Sequence, residues 1–574
     1  MRRAKAAWTL GVLAGACLLG ETLASCGGRP HHRAAAGDPP ETAVGERLFL
    51  ETRFAQFFAT HMVADAEHPA GNVNAPLAAG DPVLAQHETL SAPIDGAFAG
   101  QSMNCRQCHL VDEQLDALGG GMRSYAEFAR RSTVPDRGDG QTHALRNSPS
   151  LVDATLGAAL HFDGEFATIA DLVRGTLAGR NFGWLPIEHA AAVAQVARVL
   201  REDDGSGTLA ADTAGLSYRV LLAGVDASIP ADLRLPPAYR LDVASATDAE
   251  IFDAVAALIG AYVEHLRFAR NNKDRFNGSP YDAFLKRNHL PAAPADGETA
   301  LAYGRRLRGA LSALDSPRFV MPVAGTAFQF HPEHPDFAFQ QAELDGLKIF
   351  LAEPALPALT QAQIDGGAGG VGNCLACHAP PEFTDHGLHN TGVSQFEFES
   401  RNGAGSFASL TIPDLATRSA SAVVAAQVLP ATVAHPAYEG RLRAIPQSAD
   451  GTRADLGAWA VFANADFPST QAVLRAQLCA IGPDCPADDA SLLPRAVAAF
   501  KTPGLRDLGH SQPYLHSGAF NDLAAAVHFY VDASKQARAG ALRAGDPRMA
   551  GVALQPADEA ALAAFLAALD EDYN

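Results

Sequence analysis

Asn104-Cys105-Arg106-Gln107-Cys108-His109 and Asn373-Cys374-Leu375-Ala376-Cys377-His378 are two copies of one short pattern, set in opposite halves of a 574-residue chain. Cys-x-x-Cys-His is the signature of covalent haem attachment. The reason is geometric. Thiols at i and i+3 on one helical turn reach two vinyl groups of one macrocycle, and the next residue, His, points at the iron. One Cys-x-x-Cys alone is also compatible with a redox dithiol or half of a zinc site. Two copies, each preceded by Asn, in a chain with an export segment favour two covalently bound haem c groups. Cys105 and Cys108 would hold one with His109 on its iron, and Cys374 and Cys377 the other with His378.

Working outward, each motif has the same lead-in: Gly45-Glu46-Arg47-Leu48-Phe49 before the first and Gly346-Leu347-Lys348-Ile349-Phe350 before the second. Gly-x-x-Leu/Ile-Phe opening an amphipathic helix ahead of the motif makes the domain, not merely the motif, the repeated unit. Helical periodicity marks Glu188 to Arg201, Asp248 to Arg270, Gly297 to Leu314 and Ala557 to Leu569, and period-2 strands are scarce. The expected fold is mainly α: two cytochrome c-like haem domains, 44–338 and 339–574, with long loop and helical insertions. The turns around His331, Pro332, His334 and Pro335 read as an inserted excursion or the inter-domain connection.

The net charge of −20 argues against nucleic acid and suits a basic or dipolar redox partner. Arg2, Arg3 and Lys5 precede an apolar run from Ala6 to Gly20 that is too short to span a bilayer comfortably, so a signal peptide is expected. It ends Leu23-Ala24-Ser25-Cys26-Gly27, which resembles the bacterial lipobox. Residues 1–26 are therefore expected to be a lipoprotein-type signal with lipidation at Cys26, and 27–43 a tether; a plain signal peptide is the alternative. The expected place is the periplasmic side of a bacterial cell envelope, touching membrane through a lipid anchor only. Of eight cysteines, Cys17 and Cys26 belong to the export segment and four to the motifs. The remaining close pair, Cys479 and Cys485, is expected to form a disulfide.

Further stretches carry a resemblance. They are Arg146-Asn147-Ser148-Pro149-Ser150-Leu151 with Phe162-Asp163-Gly164; Ser279 to Leu285; Phe383-Thr384-Asp385 through Leu388-His389-Asn390-Thr391-Gly392; and Thr502 to Asp507, Pro513 to Gly518 and Leu523 to Tyr530. In this order the chain resembles the bacterial diheme cytochrome c peroxidase family, which includes the methylamine-utilisation diheme enzyme. The likeness is weak over 185–245, 291–338 and 397–490. It implies that one haem, usually the N-terminal one, meets peroxide while the other stores or relays an electron.

Three positions depart from what the resemblance implies. Phe162 stands at the inter-haem Trp position, Phe182 at the distal Glu that serves as acid/base, and Leu172 at a nearby Gln. Phe cannot move the proton that O–O cleavage needs. Glu165 is then a candidate acid, or a carboxylate at a helix N-terminus; His161 faces the haem or is a core or surface His, and Trp184 is near in sequence. His143 is a loop candidate for the sixth position of the first haem. At the second haem, Tyr530 takes the place of the sixth-ligand Met, with His510, His516 and His528 as rivals. Hard anionic Tyr favours ferric iron. The resemblance also implies Ca²⁺ between the domains, held by the Asn147 side chain and the carbonyls of Ser511 and Pro513.

The activity this implies is hydrogen peroxide reduction, with electrons from a small cytochrome or other periplasmic redox carrier. An oxygenase-like enzyme using O2 and a non-catalytic diheme electron carrier are the alternatives. Long-range oxidation of a partner protein is weakened by Phe162, since Phe is far harder to oxidise than Trp.

Overall fold

Two pairs of helices cross at a glycine, one pair in each half of the chain. The helix Pro40–Phe49 begins on a proline, whose missing N–H costs nothing in a first turn. It crosses Asp248–His265. That longer helix starts at Thr247, whose hydroxyl accepts from Glu250 N while Glu250 accepts from Thr247 N. At the crossing, a β-carbon on Gly45 would run into the carbonyl of Leu258. In the second half, Gln341–Leu351 crosses Pro556–Ala567, and a β-carbon on Gly346 would run into the carbonyl of Ala561. The repeated Gly-x-x-Leu/Ile-Phe is thus a repeated packing device: glycine lets the backbones touch, and Phe49 or Phe350 buries beside the contact.

This computed structural model describes residues 38–85, 101–109, 130–322 and 337–571. It is mainly α as expected; among the described residues the one sheet is a two-stranded ribbon, Leu388–His389 antiparallel to Phe500–Lys501. Among the described residues, the three largest of five apolar cores organise it. The first gathers Val44, Leu48 and Phe49 with Val196, Leu200, Leu258 and Tyr262. The second gathers Leu347, Phe350 and Phe565 with Leu375 and Phe383, beside the second motif. The third, built between residues 388 and 500, holds Phe398, Phe407, Leu456, Trp459, Leu474 and Leu492. The expected Cys479–Cys485 disulfide is formed at its edge.

Two expected boundaries differ from the packing. The helices Pro280–Arg287 and Ala300–Ser312 put Tyr281, Phe284, Leu285, Tyr303 and Leu307 into the second core. The division therefore falls between Leu266 and Ser279, not at 338/339. Arg506 fixes it by clamping Asp282 with two bonds of 3.0 Å. Residues 40–43, expected in a tether, lie in the first helix instead. Cys26 and the signal segment lie outside the described residues, as does 323–336. Among the described residues no helix is long and apolar enough to cross a membrane.

Gly346→Ala is expected to destabilise by about 1–3 kcal/mol, the usual cost of forcing one carbon into a filled contact. Gly309→Ala is the control, on an exposed helix position with nothing within 4 Å, and should leave stability unchanged or raise it slightly. Thermal unfolding of the two variants checks both.

Candidate haem sites

Each motif folds into one tight turn that brings the histidine back over the first cysteine: His109 N donates to Cys105 O at 3.0 Å, and His378 N to Cys374 O at 2.7 Å. The preceding asparagines do different jobs. Asn104 accepts from Gln107 N at 3.2 Å and donates to Leu50 O at 2.8 Å, tying the turn to the end of the first helix. Asn373 sits in the left-handed region at φ 51° and donates to Arg548 O at 2.9 Å.

The two histidines are oriented alike. Nδ1 of His109 lies 3.0 Å from the carbonyl of Pro149, and Nδ1 of His378 lies 2.8 Å from the carbonyl of Phe383. A carbonyl only accepts, so the proton sits on Nδ1 and the Nε2 lone pair is free for a metal. Burial lowers the pKa of both rings, keeping them neutral as ligation requires. Burial pushes the Cys105 thiol up to about 12, Cys108 to about 11 and Cys374 to about 12. A redox dithiol needs the opposite shift. No second cysteine pair joins either motif among the described residues, as a structural zinc would need. Two thiols and an oriented neutral imidazole on one turn fit a haem.

At the first motif, Phe182 is buried in an apolar cluster with Met103, Val173, Leu177 and Trp184, and the Cys105 and Cys108 sulfurs pack against the same cluster. Trp184 spends its N–H on Phe54 O at 3.1 Å. Glu165 does not supply the acid in place of Phe182. Its carboxylate is 2.5 Å from Arg443 Nη2 and 3.0 Å from His161 Nδ1. Burial alone would raise its pKa, but the Arg443 charge and the His161 bond outweigh it and hold the carboxyl below its usual range. An anion so held accepts protons poorly and donates none. His143 is exposed and pairs only with its own hairpin.

The Phe162 carbonyl accepts from Lys501 N at 2.6 Å, and its ring lies 6.3 Å from that of His516, which stacks on Phe500 at 3.6 Å. Around this stack runs a buried charge network. Arg146 Nη1 bonds Asp163 at 2.7 Å and Arg146 Nε bonds Asp455 at 2.7 Å, while Arg443 reaches Asp163 at 2.9 Å. Arg443 and Asp455 lie in the stretch of weakest resemblance, about 280 to 310 residues from their partners; no local pattern could have singled them out.

At the second motif, Tyr530 lies on the helix Leu523–Arg538. Burial raises its phenol pKa, with Cys374 and Cys377 adding to the shift, so the hydroxyl is within electrostatic reach of both sulfurs. Two rivals are otherwise engaged: His528 is exposed and pairs with Glu559 at 2.9 Å, and His516 is in the Phe500 stack. The side chain of His510 lies outside the description. For calcium, the Asn147 amide meets the Pro513 carbonyl, whereas for Ser511 the contact seen is its N–H donating to Leu508 O at 2.9 Å. In this arrangement Asn147 presents its NH2; a cation there needs the amide turned over.

No protein-family model and no curated protein matches this sequence. Among solved structures, the chain is similar to the diheme peroxidase BthA from Burkholderia thailandensis, at 17% identity over 94% of this chain and 87% of that one, with a TM-score of 0.41. It is similar to a tyrosine-to-methionine variant of that protein, at 17% over 93% and 87%, TM-score 0.40. It is also similar to a MauG-like protein associated with microbial copper homeostasis, at 13% over 93% and 90%, TM-score 0.40.

Burial pushes His516 down to about 3 from an unfolded value of about 6.5. The unfolded chain then binds the extra proton between these values, so stability is complete above pH 6.5 and falls as pH drops toward 3. His516→Gln is expected to flatten that loss, by on the order of a few kcal/mol at pH 4. Urea unfolding from pH 7 to 4 measures it, and equal slopes in both proteins would contradict it.

Proposed function

We propose that this chain is a diheme c-type oxidoreductase of the cytochrome c peroxidase type, reducing hydrogen peroxide with electrons passed between two haems. The observation behind it is the pair of Cys-x-x-Cys-His turns, each with its histidine tied through Nδ1 to a backbone carbonyl. A bound haem of this kind supplies one-electron chemistry and a site for peroxide. The chain's residues make the two sites unequal. At the first, Phe182 and its apolar neighbours would form the wall of the site, and Phe182 offers no proton. At the second, the phenol oxygen of buried Tyr530 would help hold the iron, and the group would then have a hard anionic ligand. The resulting tyrosinate favours oxidised iron.

In the same reading, electrons arrive from a small cytochrome or other periplasmic redox carrier whose basic surface suits the net charge of −20. Cys26 carries the lipid anchor, and Asn147, Ser511 and Pro513 bind calcium once the amide turns. The Phe182 wall favours a second reading, in which O2 is the oxidant, because an apolar pocket without an acid suits bound O2 better than peroxide cleavage.

The pyridine haemochrome spectrum of purified protein should count two haems c, and peroxide added to the reduced protein should change the absorbance of at least one; no change in either rejects the peroxidase reading. Phe182→Glu supplies the missing acid and is expected to raise peroxide turnover by about 10², the lower range for general acid catalysis. A stable ferrous–oxy spectrum in the unaltered protein, with no gain from Phe182→Glu, would favour O2. Tyr530→Phe should shift the Soret and EPR signals of one haem only.

A further inference from the structure

His389 lies in the two-stranded ribbon just after the second motif and is buried. Its Nδ1 is 2.7 Å from Asp546 Oδ2, and its Nε2 is 2.9 Å from Asp385 Oδ2. Ionised carboxylates only accept hydrogen bonds, so both ring nitrogens carry protons and the ring is an imidazolium. Burial opposes this, but the two carboxylates prevail and the pKa stands well above its ordinary value. Arg548 Nη1 lies 2.9 Å from Asp546 Oδ2 and 3.2 Å from His389 Nδ1, completing a set of two cations and two anions. The ligating atoms of His389, Asp385 and Cys377 all fall within 4.8 Å of one another. The charged ring therefore lies beside the sulfur that would become the second haem's thioether.

We propose that His389 is an electrostatic positioning residue for the second haem: its fixed positive charge raises that haem's reduction potential, offsetting the two carboxylates it bridges and part of the pull of Tyr530. The inference rests on a haem being held at Cys374 and Cys377. Adding an electron to iron beside a cation is easier than beside two uncompensated anions. Replacing the ring by a neutral amide leaves Asp385 and Asp546 facing the sulfur with Arg548 alone, so the potential falls. Replacing Asp385 by Asn keeps an acceptor for Nε2–H, removes one negative charge and raises it. A role in folding alone would not give shifts of opposite sign.

The test is a spectroelectrochemical titration of the holoprotein, His389→Gln and Asp385→Asn, following each haem separately. The expected result is a lower midpoint for the second haem in His389→Gln, a higher one in Asp385→Asn, and no movement of the first haem in either. Unmoved or same-sign shifts at the second haem overturn the proposal. Should His389→Gln fail to fold, Asp385→Asn decides alone: a rise supports it, and anything else overturns it. A pyridine haemochrome on the same samples separates the two levels. Fewer than two haems in the unaltered protein overturns the haem reading and this one with it; two haems with unmoved potentials overturns only this one.

Discussion

The close approach of helices at Gly45 and Gly346 is the constraint on which the arrangement rests. Each glycine removes the one atom that would hold the backbones apart, and the phenylalanine four residues on fills the space beside the contact. The motif turn is then tied to the end of the first helix of its pair. Asn104 bonds Leu50 O, and Gly372 N bonds Ile349 O at 3.0 Å. The position of each cysteine pair thus follows from a helix crossing some distance from it. This is why the same short lead-in precedes both motifs although the sequences between differ.

A second layer of order is ionic. Arg146 is shared between Asp163, on the loop that carries Phe162, and Asp455, in the third core. Arg443 from that core reaches back to Asp163 and Glu165. Burying such charges is not a large source of net stability, since desolvation offsets most of the attraction. Removing any one member strands the others, at about 3–5 kcal/mol. The network therefore specifies where the 161–165 loop lies more than it stabilises the fold. It also accounts for Glu165 being unavailable as an acid: the group is committed to position.

The legible parts of the sequence were those whose chemistry is local. Both Cys-x-x-Cys-His turns, the duplicated helix lead-in, the mainly α class and the disulfide were readable because their partners lie within a few residues or repeat at fixed offsets. The illegible parts are pairings across long stretches of chain. Tyr281 and Leu307 look like any apolar helix positions, and only Leu375 and Phe565 show to which half they belong. Glu165 looked free because Arg443 lies 278 residues away. His389 was visible only as one letter of a matching stretch, and its two carboxylates come from Asp385, four residues before it, and Asp546, 157 after it.

The two haem sites therefore differ in a way that ligands alone do not express. Around the first, Phe182, Trp184 and Met103 belong to the apolar core against which Cys105 and Cys108 pack, and the carboxylates of Asp163 and Glu165 are paired with arginine. Around the second, charge is retained and balanced, with an imidazolium and an arginine against two carboxylates, and with the buried phenol of Tyr530 within electrostatic reach of both sulfurs. In a low-dielectric interior, fixed charges act over several ångströms, whereas an apolar wall acts by exclusion. The first site is thus set by what it keeps out and the second by what it holds. Phe162, His516 and Phe500 form a separate cluster of rings, with His516 stacked on Phe500 at 3.6 Å and 6.3 Å from Phe162.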